Sequence, residues 1–171
     1  MMDQFLGLSI ELTGFTRFVL QSTGLSDDYL HAAVKILGKP IVDELLAKYT
    51  IAITSQQPRT EELRRQILGD EKLGPVARNI IKMWYSGIWE PLPNLWVERY
   101  GPIEENSGFM VSGNAYREGL LWLALGANPP GAKAHGYHSW SQPPQFWEPP
   151  TLPLEEESNW HGNTVPKLPH S

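Results

Sequence analysis

Apolar residues recur at spacings of three and four through the first 128 residues of this 171-residue chain, the period of a helix face rather than of a strand. Phe5, Leu8, Leu12, Phe15 and Val19 form one such series and predict an amphipathic helix over about residues 2–20, ended or bent at Thr13-Gly14. Ser26 has the chemistry of an N-cap, and Asp27 and Asp28 suit the positive end of a helix dipole, so a helix is expected from there to Leu37. Gly38-Lys39-Pro40 breaks it and residues 41–48 resume. Residues 54–58 read as a linker, followed by a short helix over about 61–68 with Thr60 as its cap.

The strongest pattern covers 75–89. Gly74-Pro75 places a proline at the first helical position, where its missing N–H costs nothing. Val76, Ile80, Trp84 and Ile88 form a column flanked by Ala77, Ile81 and Tyr85, with Arg78, Asn79, Lys82 and Ser86 opposite. Glu90-Pro91-Leu92-Pro93 stops it. After an irregular stretch, Asn114 is placed to cap a last helix over 115–125, closed by Gly126. Residues 119–125 contain no polar side chain, and a helix apolar all round must be covered on all sides. The only strand candidate is the weak alternation Thr50-Ile51-Ala52-Ile53-Thr54, and no internal repeat is present. The fold class expected is therefore all-α, a small domain of about five helices over residues 1–128.

Residues 129–171 change character. They hold nine of the fifteen prolines, which excludes helices and central strands, yet they also carry Tyr137, Trp140, Phe146, Trp147 and Trp160. A disordered linker is poor in aromatics. Extended backbone with large anchoring side chains suits a chain lying along another surface, so this segment is expected to be an arm that wraps a partner.

Charge and composition narrow the chemistry. A net charge of −5 without a basic stripe argues against nucleic acid, and no run approaches the length of a membrane span. The absence of Cys removes disulfides and thiolate chemistry. The opening residues have no arginine pair and no long apolar run, and Asp3 and Glu11 interrupt them, so a cytoplasmic location is expected. No dinucleotide, phosphate-loop or nucleophile-elbow motif occurs. His135 and His138 form an H-x-x-H pair that His161 or a carboxylate could complete as a metal site, but in a glycine-flanked loop that spacing is not a helical ligand pair. The runs Glu104-Glu105 and Glu155-Glu156-Glu157 read as solvated charge, because adjacent side chains do not point at one centre. Among the aromatics, Trp84 lies in the apolar column and reads as core. Tyr85 and Trp89 flank that column and could reach an interface, where aromatics are enriched.

Four segments, taken in order, resemble the small subunits of bacterial FAD-dependent sugar and alcohol dehydrogenase complexes, the gamma-type subunit of sorbitol, fructose and glucose dehydrogenases. They are Phe5-Leu-Gly-Leu-Ser9 through Leu12-Thr13-Gly14, then Ile81-Lys-Met-Trp-Tyr-Ser-Gly-Ile88, then Tyr116-Arg-Glu-Gly-Leu120, and Gly136-Tyr137 with Trp140 and Pro143-Pro144. The resemblance implies a non-catalytic accessory subunit that binds, matures and stabilises a large FAD-bearing subunit of the glucose-methanol-choline class, with a cytochrome c subunit often receiving the electrons. This chain would itself hold no catalytic residue, cofactor or metal. Its partner contacts would be Tyr85, Trp89, Trp122, Tyr137, Trp140, Phe146 and Trp147. The family's small subunit typically begins with a twin-arginine signal, whereas this chain opens on the first helix, so the complex would stay in the cytoplasm or reach the periplasm with a signal-bearing partner. The alternative reading is a stand-alone helical domain, or a metal-binding protein using His135 and His138.

Overall fold

The computed structural model describes residues 1–101 and 106–129. The fold is all-α, as the periodicity predicts, but the helices are shorter and more numerous. In chain order they are α1 (Met2–Thr13), α2 (Arg17–Ser22), α3 (Ser26–Leu37), α4 (Lys39–Thr54) and α5 (Arg59–Leu63), which runs on into a π-helical turn (Arg64–Leu68). Then come α6 (Leu73–Ser86), α7 (Asn94–Tyr100), α8 (Gly113–Glu118) and α9 (Leu120–Leu125). A two-residue antiparallel ladder joins β1 (Ile88–Trp89) to β2 (Phe109–Met110), with Ile88 opposite Met110 and Trp89 opposite Phe109. The expected arm lies outside the described residues apart from Pro129.

Helix α6 is the axis of the core. Leu73, Val76, Ala77, Ile80, Met83 and Trp84 are all buried, and α1, α3, the π turn, β1 and α9 pack around them. Two polar links fix its angle to α1. The Trp84 indole Nε1 donates to Ser9 Oγ at 2.9 Å in a fully buried setting, and the Tyr85 hydroxyl donates to Thr13 O at 3.0 Å. Thr13 Oγ1 in turn donates to Ser9 O at 2.7 Å, so the Thr13 hydroxyl is satisfied within α1 while Ser9 Oγ and Thr13 O serve as acceptors for α6. From α3, Tyr29 meets the Trp84 ring edge-on at a centroid distance of 4.7 Å.

Several expected boundaries move, each for a local reason. The predicted 2–20 helix ends at Gly14, whose φ of 77° is left-handed, and Thr16 Oγ1 then caps α2 by accepting from Val19 N. Ser26 does not cap α3; it is the first helical residue, after Leu25. Thr60 lies inside α5, behind Pro58. The Thr50–Thr54 alternation is helical: Ala52 faces the core while Ile51 and Ile53 point outward, and the Thr50 and Thr54 hydroxyls donate to carbonyls four residues back. α6 starts before Pro75 and stops at Gly87, so Ile88 leaves the apolar column and Met83 takes part in the core instead. Asn79, assigned to the polar side, is buried and bonded to the backbone of Glu90. The irregular stretch after Pro93 contains α7, whose Trp96 is buried with its Nε1 donating to Lys72 O at 2.6 Å.

The last predicted helix is two. Asn114 is not its cap, because Ser112 holds that position and Asn114 Oδ1 accepts from Arg117 instead. The break falls at Gly119, where a Cβ would stand 2.7 Å from Tyr85 O. Gly87, at a φ of 76°, is pressed the same way: its Cβ would lie 2.6 Å from the Ala115 carbonyl carbon. These two glycines let the α8–α9 corner close onto the end of α6.

Two mutational outcomes follow from this packing. Gly87→Ala combines a left-handed backbone with a backbone clash, and it is expected to destabilise by about 2 kcal/mol or more, read as a shift in the urea midpoint at constant m-value. Tyr29 presents the opposite case. Burial, with the Asp28 charge adding, pushes its phenol well above the ordinary value, and its hydroxyl is buried with no hydrogen-bond partner among the described residues. Removing an unpartnered buried polar group recovers its desolvation cost, so Tyr29→Phe should be neutral or stabilising by up to about 1 kcal/mol. A loss of 1 kcal/mol in the same urea experiment would contradict an unpaired hydroxyl.

Candidate functional site

The meeting of α6, α8 and α9 leaves an apolar corner on the outside of the molecule. Gly87 turns the chain out of α6 into β1, and Val111 N donates to Gly87 O at 3.0 Å, which ties the β2 side to the same point. α8 rests on β2 and α9 on α6. Of the eleven exposed large hydrophobic side chains among the described residues, six lie on these elements: Ile88, Phe109, Met110, Leu121, Leu123 and Leu125. Ile88 and Met110 are register partners, so their side chains stand on one face of the ladder. α9 places only Leu120 in the core and leaves Leu125 at 66% exposure. Phe109 pairs with Trp89 and so belongs to the other face of the ladder. Exposed apolar side chains gathered on neighbouring elements are a feature of interaction sites in soluble proteins.

The three described residues expected to touch a partner sit differently from one another. Trp89 is 1% exposed and belongs to the core, because β1 turns it inward opposite Phe109. That corrects its expected place at a surface. Tyr85 is half-buried, with its hydroxyl engaged by Thr13 O and its ring edge-on to Phe15 at 6.0 Å. Trp122 is half-buried too; its Nε1 donates to Tyr116 O at 2.7 Å and the two rings meet edge-on at 5.4 Å. Both polar tips are therefore used within the chain, and what these two aromatics offer outward is apolar ring surface. Tyr137, Trp140, Phe146 and Trp147 lie outside the described residues, as do His135 and His138.

The aliphatic members of the corner are the residues that reasoning from aromatic enrichment missed. One signal did point to them: residues 119–125 have no polar side chain and require cover, and among the described residues that cover is incomplete. No cluster of three or more metal-ligating side chains forms among the described residues. No helix among them is long and apolar enough to cross a membrane. Compared with protein-family models, with curated proteins and with solved structures, the chain matches none.

A dye that fluoresces on apolar surface should report the corner directly. Leu123→Lys with Leu125→Lys is expected to reduce anilinonaphthalene sulfonate fluorescence at least two-fold while changing stability by no more than about 0.5 kcal/mol per site, as surface substitutions do. Unchanged fluorescence would show that these leucines are covered in solution.

Proposed function

We propose that the chain is a non-catalytic accessory subunit that binds, matures and stabilises a large FAD-dependent dehydrogenase subunit of the glucose-methanol-choline class. The observation that supports this reading is the apolar corner of Ile88, Phe109, Met110, Leu121, Leu123 and Leu125. Ile88 closes the 81–88 stretch and Leu121 directly follows the 116–120 stretch, two of the four that resemble the small subunits of sugar and alcohol dehydrogenases. Exposed leucines held on a helix rather than on a loop are suited to a standing interface, because little backbone freedom is lost on association. Tyr85 and Trp122 add ring surface beside them. Tyr137, Trp140, Phe146 and Trp147 supply further anchors from the proline-rich segment.

In this reading FAD and the catalytic groups belong to the partner, and a cytochrome c subunit is a third component that takes the electrons. The complex is cytoplasmic, or periplasmic if the partner carries an export signal. Substrate specificity then resides in the other chain.

The test is purification of the tagged chain from its native host. A co-purifying protein that contains FAD and oxidises a sugar or alcohol with an artificial electron acceptor is the expected result. Leu123→Glu with Leu125→Glu should abolish the association while leaving the helical circular dichroism intact. Trp140→Ala should weaken it by about 2 kcal/mol, the scale of an interface tryptophan. A flavin-free preparation, or association indifferent to both variants, would sink the proposal.

A further inference from the structure

A second feature of the surface is polar and unusually well braced. Pro75, Arg78, Asn79 and Lys82 form one stripe along α6, at spacings of three and four, and the segment from Glu90 to Pro93 runs beside it. Between them lies a groove of about 190 Å³. Two asparagine side chains hold its outer wall. Asn79 Nδ2 donates to Glu90 O at 2.6 Å and Asn79 Oδ1 accepts from Glu90 N at 3.0 Å. Asn106 does the same for Leu92, accepting from its N at 2.8 Å and donating to its O at 2.7 Å. Each amide thus supplies both hydrogen bonds that a neighbouring strand would give. The residues between and after these clamps, Pro91 and Pro93, have no N–H to satisfy. The wall is fixed before any ligand arrives, which lowers the entropic cost of binding.

We propose that this groove binds a carboxylate carried on a short apolar body, with Arg78 as its principal contact. The Arg78 side chain is exposed and donates from Nη1 to Leu68 O at 3.0 Å, and among the described residues the rest of its planar fork makes no other hydrogen bond. No acidic side chain among the described residues lies within ion-pair distance of it. A free guanidinium fork matches a carboxylate in geometry and charge. Lys82 stands one turn further along, paired with Glu90, so an incoming carboxylate would share that ammonium with Glu90. Pro75, Pro91, Leu92 and Pro93 give the apolar walls. The Glu90 charge disfavours a dianionic phosphate more than a monoanion, and the groove admits a side chain rather than a large metabolite. The site stands independently of the accessory-subunit reading.

The carboxylate could belong to a free organic acid or to an acidic peptide, and nuclear magnetic resonance titrations of the full chain separate the two. The probes are N-acetyl-L-leucine, its neutral amide, inorganic phosphate and an end-blocked hexapeptide with the sequence of residues 152–157, whose only carboxylates are side chains. N-acetyl-L-leucine or the peptide should shift the amides of Arg78, Lys82 and Leu92 with a dissociation constant on the order of 1 mM. Whichever binds tighter identifies the source. Arg78→Gln should weaken that binding at least ten-fold and Arg78→Lys by less, both with an unchanged melting transition. Glu90→Gln should strengthen it by removing the competing carboxylate. The proposal is overturned if neither carboxylate probe binds, if the neutral amide or phosphate binds as well, or if Arg78→Gln binds like the wild type.

Discussion

The indole of Trp84 stands where α1, α3 and α6 meet, and the rest of the structure is arranged around keeping it there. Its ring is fully buried and takes the edge of Tyr29 from α3, while its one polar atom finds Ser9 of α1. A buried tryptophan without that acceptor would carry an unsatisfied N–H, at a cost of about 1–3 kcal/mol. The hydrogen bond therefore selects one register of α1 on α6, because sliding either helix by a residue would strand the indole. Truncation of a side chain of this size in a close-packed core costs about 3–5 kcal/mol, a large part of a small domain's total stability.

What Trp84 fixes on one side, two glycines fix on the other. Gly87 and Gly119 allow main chain to approach main chain at the end of α6, closer than any Cβ would permit. The consequence reaches the surface. With α8 and α9 seated on glycines, α9 buries only Leu120, and Leu121, Leu123 and Leu125 stay exposed. Tight backbone packing inside and exposed aliphatic surface outside are thus two results of one contact. A companion subunit would need both: a rigid seat, and apolar area left over for its partner.

Much of the fold was legible along the chain because helix faces repeat in sequence. The α6 column, the glycine stops at Gly14, Gly38 and Gly126, and the apolar excess of 119–125 all follow from local composition. The misplaced features have separate causes. Thr50–Thr54 alternates like a strand, yet it continues a helix whose inner face needs only Ala52. Asn79 looks solvated until the Glu90 backbone arrives to occupy its amide. Ile88 keeps helical spacing with Ile80 and Trp84, but the left-handed turn at Gly87 sends it into a strand. In the candidate site, the need for cover around 119–125 was readable. Which leucines remain uncovered was not, since that depends on where Tyr85 O meets Gly119.

The sequence by itself determined an all-α chain, a central apolar helix carrying Trp84, and a change of character at Pro129. Each rests on periodicity or on the fixed backbone chemistry of proline and glycine, which act over a few residues. Only the tertiary structure decided that Trp89 is core, that Tyr85 and Trp122 have their polar tips engaged within the chain, and that Arg78 lines a braced groove with no acidic partner among the described residues. Burial and pairing are relations between residues far apart in the chain, such as the 75 positions between Ser9 and Trp84. No local pattern encodes them, because the same side chain is surface or core according to what the fold brings against it.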